Sequence, residues 1–481
     1  MENKSNKICD IIHNSNIAFG TSGARGLVVD FKQDVCTAFI QSFYHLIKDK
    51  FSFSHVALAI DNRPSSYSIV QYCASALRVL NIPVIYYGVI PTPALALKAK
   101  NDSVPCIMIT GSHIPFDRNG IKFYTPDGEL TKKDESILLN CEEEIVCGSD
   151  FDLSVDNGAC DFYIKRYSEL YDDKPLSGKL IGIYEHSSAG RDLYSIVFES
   201  LGAKVVPLDR SDVFVPIDTE AVSDSDRGKA KNWCQEFKLD AIFSTDGDGD
   251  GDRPLVADEN GIWLRGDILG LLCAEFLSIK NLATPINCTS AIDIRNSFSK
   301  IVRTKIGSPY VIEALSDMSC KDGGGIAGFE ANGGFILGSD IIYNNRTLQA
   351  LPTRDALLPA IIVMVESFKT STISQCVSNL PQRFTFSDRI TDYPSNKSRN
   401  LIFYAINSPS DFINKIGLRD FCVLSVNQLD GVRITASNGD IIHLRASGNA
   451  PELRCYAESD TNEKAEKYVK WILKSIEDNF S

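Results

Sequence analysis

The chain is poor in the features that would send it to a membrane, a nucleic acid or an oxidising compartment. No stretch approaches the roughly 18 consecutive apolar residues of a membrane span, and the opening "MENKSNKICDIIHNSNIAFG" lacks the apolar core of a signal peptide. Positive charge is in deficit. Against 62 Asp and Glu stand 49 Lys and Arg, a net charge of -13, which argues against nucleic acid or an anionic membrane as partner, since both demand a basic footprint. The fourteen cysteines, from Cys9 to Cys455, include no CxxC pair, no dense framework and no Cys/His cluster of the kind zinc requires. They read as reduced thiols, and a cytoplasmic location is expected.

What remains is an ordinary globular composition, 44% hydrophobic and 23% charged. At 481 residues the chain has room for three or four domains of about 100–200 residues. A strand-helix-strand pattern occurs three times: "HVALAID" (55–61), "SSYSIVQYCASALRVL" (65–80) and "IPVIYYG" (82–88); "KLIGIYE" (179–185), "GRDLYSIVFESLG" (190–202) and "AKVVPL" (203–208); "ATPINCT" (283–289), "AIDIRNSFSKI" (291–301) and "VRTKIG" (302–307). Crossovers of this length imply parallel pairing. Each unit then leads to a short apolar strand and a glycine-rich polar loop: "PCIMITGSHIP" (105–115), "DAIFSTDGDGDGDRP" (240–254) and "GIAGFEANGGF" (325–335). Loops beyond the carboxyl ends of such strands are where open α/β sheets bind ligands. From about residue 383 the pattern changes to alternating antiparallel strands closed by an amphipathic helix over 462–480. The expected architecture is three related α/β/α domains with mixed sheets plus a smaller C-terminal α+β domain, arranged around a central cleft. Polar stretches near 150–160, 258–262 and 372–382 are the expected linkers.

Chemistry concentrates in four loops. "STDGDGDGDRP" (244–254) packs Asp246, Asp248, Asp250 and Asp252 between glycines. Alternate residues of an extended loop point the same way, so three carboxylates can converge on a hard divalent cation such as magnesium, with Arg253 beside them for a phosphate. The calcium-loop pattern fails, because its twelfth position is Ala257 and Pro254 interrupts it. "ITGSHIPFDRNGIKFY" (109–124) sets Ser112 after a strand with His113 adjacent and Lys122 on the next strand, a plausible covalent nucleophile. "FGTSGARG" (19–26), with Arg25, and "RASGNAPELR" (445–454), with Arg445, Ser447, Gly448 and Asn449, can cradle oxyanions. Neither ends in the G-K-[ST] of a P-loop.

In this order and spacing the stretches resemble the α-D-phosphohexomutase superfamily, whose patterns run roughly F-G-T-x-G-x-R-G, T-A-S-H-N-P with N-G-x-K, D-G-D-x-D-R, G-E-x-S-G-H and R-x-S-G-T-E-P. The resemblance covers residues 17 to about 458. The details "WLRGD" (263–267), "GSPYVIE" (307–313) and "PTRD" (352–355) look most like the bacterial phosphomannomutase branch. It implies a TATA-box-binding-protein-like fourth domain and boundaries at 1–157, 158–262, 263–380 and 381–481. Ser112 would carry a phosphoryl group between O1 and O6 of a hexose phosphate through a hexose 1,6-bisphosphate, which also serves as activator. One Mg2+ per chain would sit on Asp248, Asp250 and Asp252, the register that Arg253 fixes, and on the Ser112 phosphate; Asp246, Asp248 and Asp250 are the other possible trio. Arg25, His113, Lys122 and Arg253 would orient the reacting hydroxyl and exchange its proton. Gly307, Ser308, Glu330 and Asn332 would hold the sugar, and Arg445, Ser447, Gly448, Asn449 and Arg454 the idle phosphate. The implied activity is conversion of mannose 6-phosphate to mannose 1-phosphate, with phosphoglucomutase or dual specificity as runner-up, a magnesium-dependent sugar phosphatase as the rival enzyme class and an acidic binding protein as the non-catalytic one. The expected partner is the small-molecule substrate alone, with no nucleic acid or membrane, on a monomer or homodimer. This chain departs from the patterns at Gly111 for Ala, Ile114 for Asn, Asn332 for Ser, Gly334 for His, Asn449 for Thr and Ala450 for Glu, and its aspartate run is two residues longer.

Overall fold

The computed structural model describes residues 6–20, 23–112, 114, 117–149, 152–247, 250–318, 324–447 and 451–480, leaving aside the side chain of Pro352. Three of its sheets share one plan. In the first, Val56–Ile60 lies between Val84–Val89 and Cys106–Ile109, parallel to both, and Arg118–Thr125 returns antiparallel beside Cys106–Ile109. The second repeats this with Leu180–His186, Lys204–Arg210, Ala241–Thr245 and the antiparallel return Pro254–Ala257. The third repeats it with Asn281–Pro285, Lys300–Thr304, Ile326–Phe329 and Phe335–Leu337. Each glycine-rich loop singled out in the sequence is the reversal between the third strand and its return. One strand plan used three times therefore produces three equivalent loops.

The central strands are buried on both faces, all five residues of Val56–Ile60 among them, as expected of parallel strands covered by helices. One apolar core runs through the three units, from Leu95 and Met108 through Ile181 and Phe243 to Phe329 and Leu357. At about 25 cal/mol per Å² of apolar surface, each such side chain contributes roughly 1.5–3 kcal/mol, so the core fixes where the loops sit. The fourth sheet is antiparallel throughout, in the order Phe384–Ile390, Leu453–Ser459, Ile441–Ala446, Val432–Ala436, Val423–Asn427, and has a core of its own. It is tied to the third unit by Arg383, which reaches Glu458 at 2.8 Å and Ser290 at 3.1 Å, and by the Ile306 amide, which donates to Asp430 at 3.0 Å.

The structure differs from the expected elements in two places. The helix expected over 291–301 stops at Arg295, because Asn296 adopts a left-handed conformation with φ of 52° and the next strand starts at Lys300. The polar run 372–382 contains the helix Ile373–Ser378, started by a capping box between Thr372 and Gln375.

His443 makes the fourth unit sensitive to acid. Its Nε2 donates to the Asp430 carbonyl at 2.6 Å, while Nδ1 is buried without a partner, so a second proton would bury an unsatisfied N–H. Burial therefore pushes its pKa down from 6.5 to about 4. Since the folded value lies below the unfolded one, stability is lost as pH falls from about 6.5 toward 4, by up to roughly 3 kcal/mol. Urea unfolding at pH 7.5 and pH 4.5 is expected to show this slope in the wild type and a flatter one in His443→Gln; equal slopes would contradict it.

Candidate active site

The reversal after Cys106–Ile109 places Ser112. Its residue is 1% exposed, its backbone is left-handed with φ of 54°, and its amide donates to Thr110 Oγ1 at 3.0 Å. A non-glycine residue held in this region costs on the order of 1–3 kcal/mol, and the surroundings over-determine it. The buried Asp61 accepts from the Gly111 amide at 3.0 Å and from Ser66 Oγ at 2.5 Å. Arg63 donates to the carbonyls of Ser112 at 3.2 Å, Ile114 at 2.6 Å and Arg118 at 2.7 Å. This brace explains Gly111: a Cβ there would lie 2.2 Å from Arg63 Cζ. The return strand carries Lys122, paired with Met108 in the ladder and buried.

The second reversal gathers carboxylates. The Asp246 amide donates to the Arg253 carbonyl at 3.2 Å, closing the loop. Within it one oxygen each of Asp246, Asp250 and Asp252 lies within 4.8 Å of the others, all three residues being buried. At an effective dielectric of about 20, each such pair repels by roughly 3–4 kcal/mol. Both oxygens of Asp246 and Oδ1 of Asp252 are buried without a hydrogen-bond partner. Asp248, named in both expected trios, lies outside the described residues. The described group joins Asp246 to Asp250 and Asp252, and the first unit holds Asp250: the Thr92 amide donates to the Asp250 carbonyl at 2.8 Å and Thr92 Oγ1 to Asp250 Oδ1 at 3.2 Å. Gly251 makes the turn with φ of 60°, where a Cβ would also meet Pro91 at 2.6 Å.

The two reversals meet. Lys122 Nζ donates to Asp250 Oδ2 at 2.6 Å and lies 3.8 Å from Asp252 Oδ2. Burial alone would raise the Asp250 carboxyl, yet the adjacent Lys122 charge and hydrogen bonds from the Lys122 and Ser112 side chains hold it well below the usual carboxylate range. Burial, and then the Asp252 charge, push Asp246 up to about 7. The strand that returns from the Ser112 loop is thus tied through Lys122 to the carboxylate group. Arg253 Nε stands 3.7 Å from Asp252 Oδ1. Oxygen-only donors, with both oxygens of Asp246 and Oδ1 of Asp252 still lacking a hydrogen bond, fit a hard divalent cation; Asp246, Asp250 and Asp252 are the described residues that would hold it.

The third reversal supplies Glu330 and Asn332. Arg354, at the end of Leu351–Asp355, donates to Glu330 Oε2 at 2.8 Å and to Asp252 Oδ2 at 2.6 Å. Asn332 is fixed by the Gly334 amide on its Oδ1 at 3.0 Å and by Thr219 Oγ1 on its carbonyl at 3.0 Å. A cleft of about 1430 Å³ opens above these loops, its wall including Gly20, Gly23, Arg253, Gly307, Asn332, Arg445, Ser447 and Arg454, drawn from all four units. Arg445 pairs with Asp430 at 2.9 Å, the residue that also receives the Ile306 amide, so the fourth unit's loop and the Gly307 turn share one anchor. Ser308 starts the helix Ser308–Ser316 and is buried; Arg25 lies on Ala24–Leu27, opposite Gly120. His113, Gly448 and Asn449 lie outside the described residues. Asp61, Arg63, Thr92, Thr219 and Arg354 carry no role expected from the sequence; Asp61 ends the strand "HVALAID" and Arg354 lies in "PTRD".

Loops of four lobes thus face one polar cleft, and the Ser112 reversal is joined to buried carboxylates through the Lys122–Asp250 ion pair. A Burkholderia thailandensis phosphoglucomutase/phosphomannomutase family protein shares the fold, with a TM-score of 0.72 at 18% identity over 98% of this chain and 97% of that one. The family profiles for phosphoglucomutase/phosphomannomutase match residues 16–144 (alpha/beta/alpha domain I), 265–384 (alpha/beta/alpha domain III) and 413–475 (C-terminal domain). Phosphomannomutases of Salmonella muenchen and Sinorhizobium fredii are 55% and 41% identical, over 97% and 93% of this chain and 97% and 96% of theirs. The chain belongs to the phosphoglucomutase/phosphomannomutase family, and it is an enzyme of intramolecular phosphoryl transfer.

The Arg63 brace gives a steric prediction. Gly111→Ala is expected to destabilise the chain by about 1–3 kcal/mol through overpacking, whereas Gly228→Ala, on the helix Asp224–Phe237 with nothing within 4 Å, is expected to stabilise it by roughly 0.5–1 kcal/mol. Paired urea-unfolding curves check this; an unchanged midpoint for Gly111→Ala contradicts the brace.

Proposed function

We propose that the chain interconverts mannose 6-phosphate and mannose 1-phosphate, with Ser112 as the residue that carries the phosphoryl group. The ion pair of Lys122 with Asp250, 2.6 Å apart, is the observation that supports this most directly, because it ties the strand that returns from the Ser112 loop to a carboxylate group suited to a cation. In the forward step the bond from Ser112 Oγ to phosphorus breaks as the bond from a sugar hydroxyl oxygen to phosphorus forms. The hydroxyl proton passes to a base, for which His113 stands next in sequence, and the serine oxygen regains a proton from Lys122, salt-bridged nearby to Asp250. The hexose 1,6-bisphosphate turns over in the cleft, and its other phosphate returns to Ser112. Carboxylates of the aspartate run would hold one Mg2+, with Asp246, Asp250 and Asp252 the described candidates and Asp248 outside the described residues, and the bound ion would supply Lewis-acid neutralisation of the charge on the transferring group.

Arg25 and Arg253 orient the reacting phosphate, and Arg445, Ser447 and Arg454, with Gly448 and Asn449, receive the idle one. Gly307, Ser308, Glu330 and Asn332 hold the sugar. The four lobes follow the boundaries 1–157, 158–262, 263–380 and 381–481, and closing the last keeps water from the phosphoserine. The scheme takes every residue from one chain, and a monomer or a homodimer would satisfy it. Unpaired cysteines, thirteen among the described residues, and the absence of any helix in the described residues long and apolar enough to cross a membrane suit a cytoplasmic enzyme.

Intact-mass analysis of the purified protein is expected to find one phosphate on the Ser112 peptide. With mannose 6-phosphate, Mg2+ and catalytic hexose 1,6-bisphosphate, the wild type is expected to form mannose 1-phosphate without releasing phosphate, and both Ser112→Ala and EDTA treatment are expected to abolish turnover. Turnover surviving in Ser112→Ala, or phosphate released in step with substrate loss, would sink the proposal; preference for glucose phosphates in parallel assays would overturn the substrate alone.

A further inference from the structure

One buried cation is shared between the two halves of the site. Arg354 is 7% exposed, and its guanidinium forks: Nη2 donates to Asp252 Oδ2 at 2.6 Å and Nη1 to Glu330 Oε2 at 2.8 Å. Asp252 is thereby held by one oxygen while its other, Oδ1, stays buried without a hydrogen-bond partner. Glu330 likewise keeps its second oxygen out of the fork. The arginine is itself anchored. The next residue, Asp355, accepts from Tyr163 at 2.6 Å, from Tyr167 and from the Leu357 amide at 3.0 Å, so the strand end cannot swing away.

Room for this side chain comes from a departure seen in the sequence. Gly334 stands where the superfamily pattern has histidine, and a Cβ there would lie 2.5 Å from Arg354 Cδ and 3.1 Å from its Cγ. The arginine stem occupies the volume in which a side chain at 334 would begin.

We propose that Arg354 is a positioning residue for the phosphoryl transfer, its fork presenting Asp252 to the cation and Glu330 to the sugar so that the two sites are set together. This rests on the reading of Asp252 as a cation ligand and Glu330 as a sugar contact. Outer partners that orient a metal's carboxylates are worth about 10–100-fold in metal affinity when removed. A buried ion pair serving only the fold predicts no such effect, and Coulomb's law alone predicts the opposite sign, since deleting a neighbouring positive charge should tighten cation binding.

The test measures Mn2+ binding by electron paramagnetic resonance on full-length wild type, Arg354→Met, Arg354→Lys and Gly334→Ala, with thermal unfolding of each and the KM for the sugar phosphate in parallel. Arg354→Met is expected to bind Mn2+ about 10–100-fold more weakly and to raise KM. Arg354→Lys, which keeps the charge and loses the fork, is expected to fall between it and wild type, and Gly334→Ala, which crowds the stem, to shift affinity and KM in the same direction. Folded Arg354→Met binding Mn2+ as well as or better than wild type overturns the inference. If Arg354→Met does not fold, Arg354→Lys decides: affinity and KM both equal to wild type overturn it. Wild type that binds no Mn2+ overturns the cation reading and this inference together, whereas wild-type binding with unaltered variants overturns the inference alone.

Discussion

Buried like charges need a reason. Asp246, Asp250 and Asp252 are 1%, 0% and 1% exposed, and carboxylates in this position either take up protons or are met by positive charge. The protein supplies part of that charge: Lys122 from the first unit, Arg253 from the loop itself and Arg354 from the third unit. Oxygens still lack a partner, both on Asp246 and one on Asp252. That residual demand organises the site. It holds Lys122, on the strand that returns from the Ser112 loop, against Asp250 and recruits Arg354 from the third lobe to Asp252.

The repeated strand plan makes this convergence possible. Each of three units ends a parallel triplet in a reversal, and one continuous core orients the three reversals toward a common cleft. The fourth unit has its own core, and among the described residues it meets the third through Glu458, which accepts from the Ser290 amide and hydroxyl, and through Asp430, which accepts from the Ile306 amide.

Much of this was legible in the sequence, and the reasons differ by element. The strand plan and its polar loops could be read because burial on both faces writes continuous apolar runs, and glycine writes reversals. That Ser112 and Lys122 flank one reversal could be read because the chain between them is short. The approach of Asp246 to Asp250 and Asp252 could not be read, since it depends on distant partners: Thr92 holds Asp250 from 158 positions away, and the Asp246 amide closes the run on the Arg253 carbonyl. Arg63 and Arg354 were invisible for a similar cause. Their partners lie 49 to 55 and 24 to 102 positions away, and a single arginine at a strand end carries no local signature of burial. Gly111 and Gly334 were noticed only as departures from a pattern; the structure shows that each leaves space for one of these arginines.

The central claim is that the three carboxylates are brought together for a cation that also faces Ser112. Crystals soaked in Mn2+ and measured at the manganese absorption edge address it without reference to turnover. The account predicts one anomalous peak per chain among the carboxylates of Asp246, Asp250 and Asp252, on the side of the Ser112 hydroxyl. A peak elsewhere in the cleft, or none while the carboxylates keep their positions, would contradict it.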